Sequence, residues 1–286
     1  MIGNHLAHFI SSFRSWFLPL VENFSLKTNH TTGHLVKNLF IFKIFLLLFT
    51  FHAAAQITEE DTFEDNDLTR QLWVSLEPSW VVGENQKIVG TFSYRTIWPN
   101  SWHRVIFRAS KEITYDTLLF KGFKHHEKLL YGIGNFWVLR NESANSFEIR
   151  PFQGYGISFN LAKRFEFQQL LRLEERFLFN KDQSNDFFGL RLRYQVKGII
   201  DFNGLLFAEG KGFYLPASIE VFFNLVKVSE FNDVIRISPG LGYQADRDFK
   251  IEAGLAYHYT KQGKDDDKLV RTNDIVFQFR IMKTFR

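Results

Sequence analysis

The side chains best suited to chemistry in this chain are arginines and glutamates set two residues apart. Glu148 and Arg150, then Arg172, Glu174 and Arg176, then Arg191 and Arg193, each skip one residue. Arg108, Glu112, Glu166, Glu220, Arg236, Glu252 and Arg280 extend the set to fourteen. Side chains at i and i+2 share one face of a β-strand, whereas a helix would scatter them around its circumference. The planar guanidinium fork matches a carboxylate in a bidentate pair. Gathered in one enclosed space, these residues allow two outcomes. They can form an internal salt-bridge network that fills the space and fixes strand register. They can also line a narrow charged pathway or a binding site for a small polar or anionic solute.

Nucleophilic and metal chemistry find less support. Beyond residue 55 the histidines are His103, His125, His126 and His258. Ser101 and Ser110 lie near His103, but no motif brings a serine, a histidine and a supporting acid together, as nucleophilic catalysis requires. His103 reads as a solvated turn residue. His125 and His126 are adjacent and would point to opposite faces of a strand, so they read as polar loop rather than metal ligands. Asp265, Asp266 and Asp267 lack the spacing of a calcium loop. Gly154, Gly156, Gly240, Gly242 and Gly254 share the charged face and read as space for bulky neighbours and for curvature. No catalytic residue, metal ligand or cofactor site is assigned.

The elements that must position the charged set are amphipathic strands. In Arg164–Asn180, Phe165, Phe167, Leu171, Leu173, Phe177 and Phe179 alternate with Glu166, Gln168, Arg172, Glu174 and Arg176; Gln169 and Glu175 are the exceptions. The next segment repeats it, with Phe188, Leu190, Leu192, Tyr194 and Val196 against Arg191, Arg193, Gln195 and Lys197. The same period of two recurs around 72–80, 87–97, 104–115, 129–139 and 147–159, and again at 213–225, 234–243, 249–259 and 274–285. Segments rich in Gly, Asn, Asp and Ser separate them, as hairpin connections require. This predicts an all-β chain built as an antiparallel transmembrane β-barrel. Eleven segments can be counted, but bacterial single-chain membrane barrels have even strand numbers. The expectation is therefore twelve strands, with ten as the fallback and the error placed between Thr114 and Lys128.

Location follows from the run Leu39–Phe51, LFIFKIFLLLFTF. Lys37 precedes it and Ala53-Ala54-Ala55 follows, the pattern of a secretory signal peptide with a small-residue cleavage site. The run is shorter than the roughly 20 apolar residues of a spanning helix. Residues 35–55 are expected to be the signal peptide and 1–34 an over-extended start. Residues 56–70 read as a flexible acidic lead-in and 71–286 as the barrel. Four of the 35 basic and one of the 31 acidic residues precede Gln56, leaving a net of +1 for the rest. No clustered basic face suggests nucleic acid. The chain has no cysteine, so no disulfide supports the fold. With 34 phenylalanines, the apolar face suits a lipid-facing wall. Trp80, Trp98, Trp102, Trp137, Tyr257 and Tyr259, near strand ends, suit the aromatic girdles of such a wall.

The order of several short segments resembles a family of uncharacterised Gram-negative outer-membrane β-barrel proteins with a domain of unknown function. They are FEIRPFQG (147–154), LRLEERF (171–177), LRLRY (190–194), IEVFFN (219–224) and PGLGY (239–243). The resemblance spans Gln71–Arg286 and implies a barrel of that type, with no known activity or catalytic residue. Ile275, Phe277, Phe279, Ile281 and Phe285 share one face and resemble the C-terminal signal read by the barrel-assembly machinery. The expected location is the bacterial outer membrane, with its lipid as partner. The reading placed first is a narrow pore or small polar-solute-binding barrel. A non-conducting scaffold barrel comes second and an outer-membrane lipid-modifying enzyme third.

Overall fold

In the computed structural model, the residues described are 64–65, 69–98, 102–120, 124–140, 145–180, 187–202, 211–226, 232–263 and 269–286. The expected signal peptide, the residues before it and Asp265–Asp267 lie outside them. The described residues contain no helix. After the two-residue β1 (Glu64–Asp65), the strands are β2 (Thr69–Gly83), β3 (Gln86–Trp98), β4 (Trp102–Tyr115), β5 (His126–Arg140) and β6 (Ser146–Ala162). They continue as β7 (Phe165–Asn180), β8 (Phe187–Asp201), β9 (Gly212–Asn224), β10 (Asn232–Asp246), β11 (Phe249–Gly263) and β12 (Leu269–Phe285).

Each strand from β2 to β12 pairs antiparallel with the next, and β12 returns to pair with β2, closing the ring. That closing ladder is parallel and runs from Asp274↔Thr69 to Phe285↔Trp80. β1 also pairs parallel with β12, at Val270 and Arg271, so it prolongs the β2 edge rather than adding a stave. The ring therefore has eleven long strands, and the expectation of twelve or ten is corrected. Parity fails as a guide because a parallel seam can join the first and last strands of an odd ring. No extra strand lies among the described residues between Thr114 and Lys128: β4 ends at Tyr115 and β5 begins at His126. β2 begins at Thr69.

An odd ring puts the start of β2 at one mouth and the end of β12 at the other. The second mouth carries the tight connections Gly83–Gln86, Ala162–Phe165 and Asp246–Phe249.

The strands alternate faces as their sequences require, and the ring is turned inside out relative to a soluble core. Leu72, Phe92, Tyr131, Phe177, Phe213, Leu255 and Phe277 are exposed on the outer wall, while Arg172, Glu174, Arg191, Glu220 and Glu252 are buried inside. Neighbouring outer side chains pack ring on ring, as in the T-shaped series Phe92–Phe107 and Phe107–Trp137, with centroids 5.2 and 5.3 Å apart. Of the expected girdle aromatics, Trp80 stacks on Phe285 outside the ring. Trp137 and Tyr257 are likewise exposed. Trp102 instead has the parity of the inner face of β4, where the Arg104 guanidinium lies over its ring.

Candidate functional site: the charged interior of the ring

Strand register assembles the interior. Glu174 on β7 lies opposite Arg191 on β8, and Arg172 lies opposite Arg193. Glu220 on β9 faces Arg236 on β10. On β11, Glu252 faces Arg280 of β12. Within β6, Glu148 and Arg150 are two residues apart on one face, so they project side by side.

Three carboxylates organise the middle of the ring. Glu148 accepts from Arg150 Nε at 3.0 Å and from Arg176 Nε at 2.6 Å. Glu174 accepts from Arg191 Nη2 at 2.6 Å and Arg193 Nη1 at 3.3 Å, and Arg172 Nε lies 3.2 Å from its Oε1. Arg150 Nη1 reaches the same carboxylate at 3.5 Å. Glu220 accepts from Arg193 Nε at 2.8 Å and Arg236 Nη1 at 3.0 Å. Six guanidinium groups thus share three carboxylates. Glu174, Arg176 and Arg191 are each only 2% exposed. At such depth, charge–charge attraction is strong only where geometry and hydrogen bonds are good, because desolvation is costly.

Aromatic rings fill the space between the arginines. Arg150 stands 4.0 Å over the Phe136 ring. Arg191, Arg193 and Arg236 all lie over Phe222, at 5.1, 5.2 and 5.2 Å. Trp73 takes Arg95 at 3.8 Å and Arg236 at 4.7 Å. These contacts add cation–π attraction among largely buried side chains. Sequence reading assigned phenylalanine to the outer wall, yet Phe136, Phe152 and Phe222 are buried. The available signal was parity: Phe152 is two residues from Arg150, and Phe222 two from Glu220.

Below this layer, toward the second mouth, the cations are more exposed, although Glu252 is buried. Glu112 takes Lys128 at 3.3 Å and Lys87 at 3.6 Å. Glu252 pairs with Arg280, accepts from the Tyr214 hydroxyl at 3.0 Å and has Lys197 at 3.9 Å. Glu166 accepts from Gln168 Nε2 at 2.8 Å rather than from an arginine. Arg108 forms no ion pair among the described residues; the Phe152 ring is 5.9 Å away, and Glu174, Glu77 and Glu220 are within charge range. Glycine supplies room, as its spacing suggested. A Cβ on Gly242 would run into the Tyr214 ring, and one on Gly154 would meet the Leu171 carbonyl oxygen at 2.8 Å and Leu130 at 3.2 Å.

His103 differs from its sequence reading as a turn residue, whereas His125 lies in the β4–β5 connection as read. His103 is a strand residue of β4, stacked on Tyr94, whose hydroxyl lies 2.7 Å from His103 Nδ1. His125 is buried, with Nε2 3.0 Å from Glu127 Oε1. Glu127 is fully buried and accepts the backbone N–H groups of Leu118, Leu119 and Phe120 at 2.7, 2.9 and 3.1 Å. The Tyr155 hydroxyl donates to it as well. This carboxylate ties the β4–β5 connection down, a role no motif announced. His126 is exposed and sits 3.1 Å from Asp116. His258 lies inside the ring, 3.3 Å from Arg236 Nη2 and 3.5 Å from Asp274.

A closed β-barrel with an apolar outer wall and a guanidinium–carboxylate interior is the class that fold and site define. The profile of the family described as "Protein of unknown function (DUF2490)" matches residues 70–269, and the chain belongs to that family. The match covers β2 to β11 and stops at the first residue of β12. None of the curated proteins compared matches the chain.

Proposed function

We propose that this protein is a bacterial outer-membrane barrel whose interior is closed at mid-height, so that it serves as a membrane-embedded scaffold rather than an open pore. The burial of Glu174, Arg176 and Arg191 carries this reading. Side chains lining an open channel would be wetted, whereas Arg176 and Arg191 each hold a buried carboxylate and Arg191 also lies over Phe222. Barrels of about 8 strands are filled by side chains and those of 16–18 hold an aqueous channel, so an eleven-stranded ring is small enough to fill. Strands of 13–17 residues exceed the roughly 9–11 that cross a bilayer core. The exposed outer phenylalanines and leucines suit lipid and would be a liability in water.

The narrow-pore reading keeps a specific support in the more exposed cations of the Glu112 and Glu252 layer, Lys87, Lys128 and Arg280. Fractionation of cells producing the chain tests the membrane assignment. The protein is expected in the outer-membrane fraction, resistant to alkaline extraction. Recovery as a soluble periplasmic protein would overturn it.

A further inference from the structure

The mid-height network is short of negative charge. Its three glutamates already serve six arginines, and Arg108 adds a seventh guanidinium with no carboxylate partner among the described residues. Arginine does not shed its proton to escape the problem. A buried, uncompensated charge is costly, so a counter-charge or ordered water must meet it.

The deficit centres on one place. Arg108 of β4 and Arg172 of β7 both stand over the Phe152 ring, at 5.9 and 5.3 Å. Arg172 Nε is buried and makes no hydrogen bond, although Glu174 Oε1 is 3.2 Å away, because the direction is poor. Arg176, two residues along the same face, has a buried Nη1 with no hydrogen-bond partner. Glu174, Glu77 and Glu220 are within charge range of Arg108, but none of them forms an ion pair with it. Two arginine forks with unused donors beside one aromatic ring can receive a tetrahedral or planar oxyanion, with N–H groups meeting its oxygens in pairs. Lipid headgroups cannot reach mid-height through the hydrogen-bonded wall, so a small free oxyanion is the occupant that fits.

We infer that the ring interior holds a binding site for a small oxyanion of the phosphate class between Arg108 and Arg172, beside Phe152. The inference uses the closed interior only for the site's depth, and its test reads binding rather than conductance, so the two can fail separately.

The experiment is heat unfolding of the purified protein in detergent, with inorganic phosphate added against chloride at matched ionic strength. A ligand held only by the folded state raises the unfolding midpoint with its concentration. Wild type and Lys283→Gln, altered away from the site, are expected to show a saturable rise of a few degrees. Arg108→Gln is expected to lose that rise while folding at least as stably as wild type without phosphate, since it removes an unpaired charge. Equilibrium dialysis with labelled phosphate should give about one site per chain in wild type. No rise beyond the chloride reference, the same rise in Arg108→Gln, or no retained label would overturn the inference.

Discussion

Arg172 and Arg193 sit directly opposite one another on β7 and β8, a like-charge pair that Glu174 Oε1 bridges at 3.2 and 3.3 Å. Like charges facing across a ladder repel. Here the repulsion is converted into a shared cradle for one carboxylate, with Arg191 and Arg150 completing it. Glu174→Gln should therefore cost about 3–5 kcal/mol, the range for removing one partner of a buried ionic cluster. Glu175→Gln, one residue on and, among the described residues, bonded to Gln153 on the outer face, should cost about 1 kcal/mol or less. Urea unfolding of the two variants measures the difference, and equal costs would contradict the bridging role.

Gly242 is held to glycine by the Tyr214 ring, which occupies the place of its missing side chain. Tyr214 is buried and donates to Glu252 at 3.0 Å. Gly242→Ala should push that ring off Glu252 and destabilise the barrel by about 1–3 kcal/mol. Tyr214→Phe, which keeps the ring and loses the hydroxyl, should cost only about 1 kcal/mol. Thermal unfolding of both variants tests this order of effects.

At the second mouth, Arg286 Nε donates to Asp248 at 2.8 Å, joining the chain's last residue to the β10–β11 turn. That hydrogen bond, with the nearby charges of Arg286 and Lys283, holds the Asp248 carboxyl below its ordinary value of 3.8. A carboxyl lowered in the folded state contributes its stabilisation above that ordinary value and loses it as pH falls through the folded one. The contact should thus survive mild acidification and open only below about pH 3.8. In Arg286→Gln, the Asp248 carboxyl should titrate closer to 3.8, as carboxyl-carbon NMR would read. An unchanged titration would contradict the pairing.

On the proposed membrane reading, the odd ring has a topological consequence. Arg70, near the start of β2, and Glu84, in the β2–β3 turn, lie at opposite mouths. The chain has no cysteine of its own, so single cysteines placed there report cleanly. A membrane-impermeant maleimide on intact cells should label one of Arg70→Cys and Glu84→Cys and spare the other. Labelling both equally would contradict a barrel that spans the bilayer.

Much of this architecture was legible because a strand sorts its residues by parity, and Arg172, Glu174 and Arg176 could not share a face in any other way. The strand segments were legible for the same reason. Strand number was not, because the seam Asp274↔Thr69 is parallel and no local pattern encodes which way two distant strands run. The interior aromatics Trp73 and Phe222 were missed because hydrophobicity was assigned to the outer wall as a whole. Their place depends on the arginines that need a ring to stack against. Glu127 was unreadable for a third reason: its partners are the backbone amides of Leu118 to Phe120, which carry no residue signature.

The most direct test of the closed interior is ion conductance of the purified protein inserted in a planar bilayer. It is compared with a variant carrying Glu148→Ser, Arg150→Ser and Arg176→Ser, which removes one carboxylate together with the two guanidinium groups it holds. Wild type should be silent while the variant shows discrete steps. Steps of the same size in wild type would contradict the account and return the narrow pore to first place.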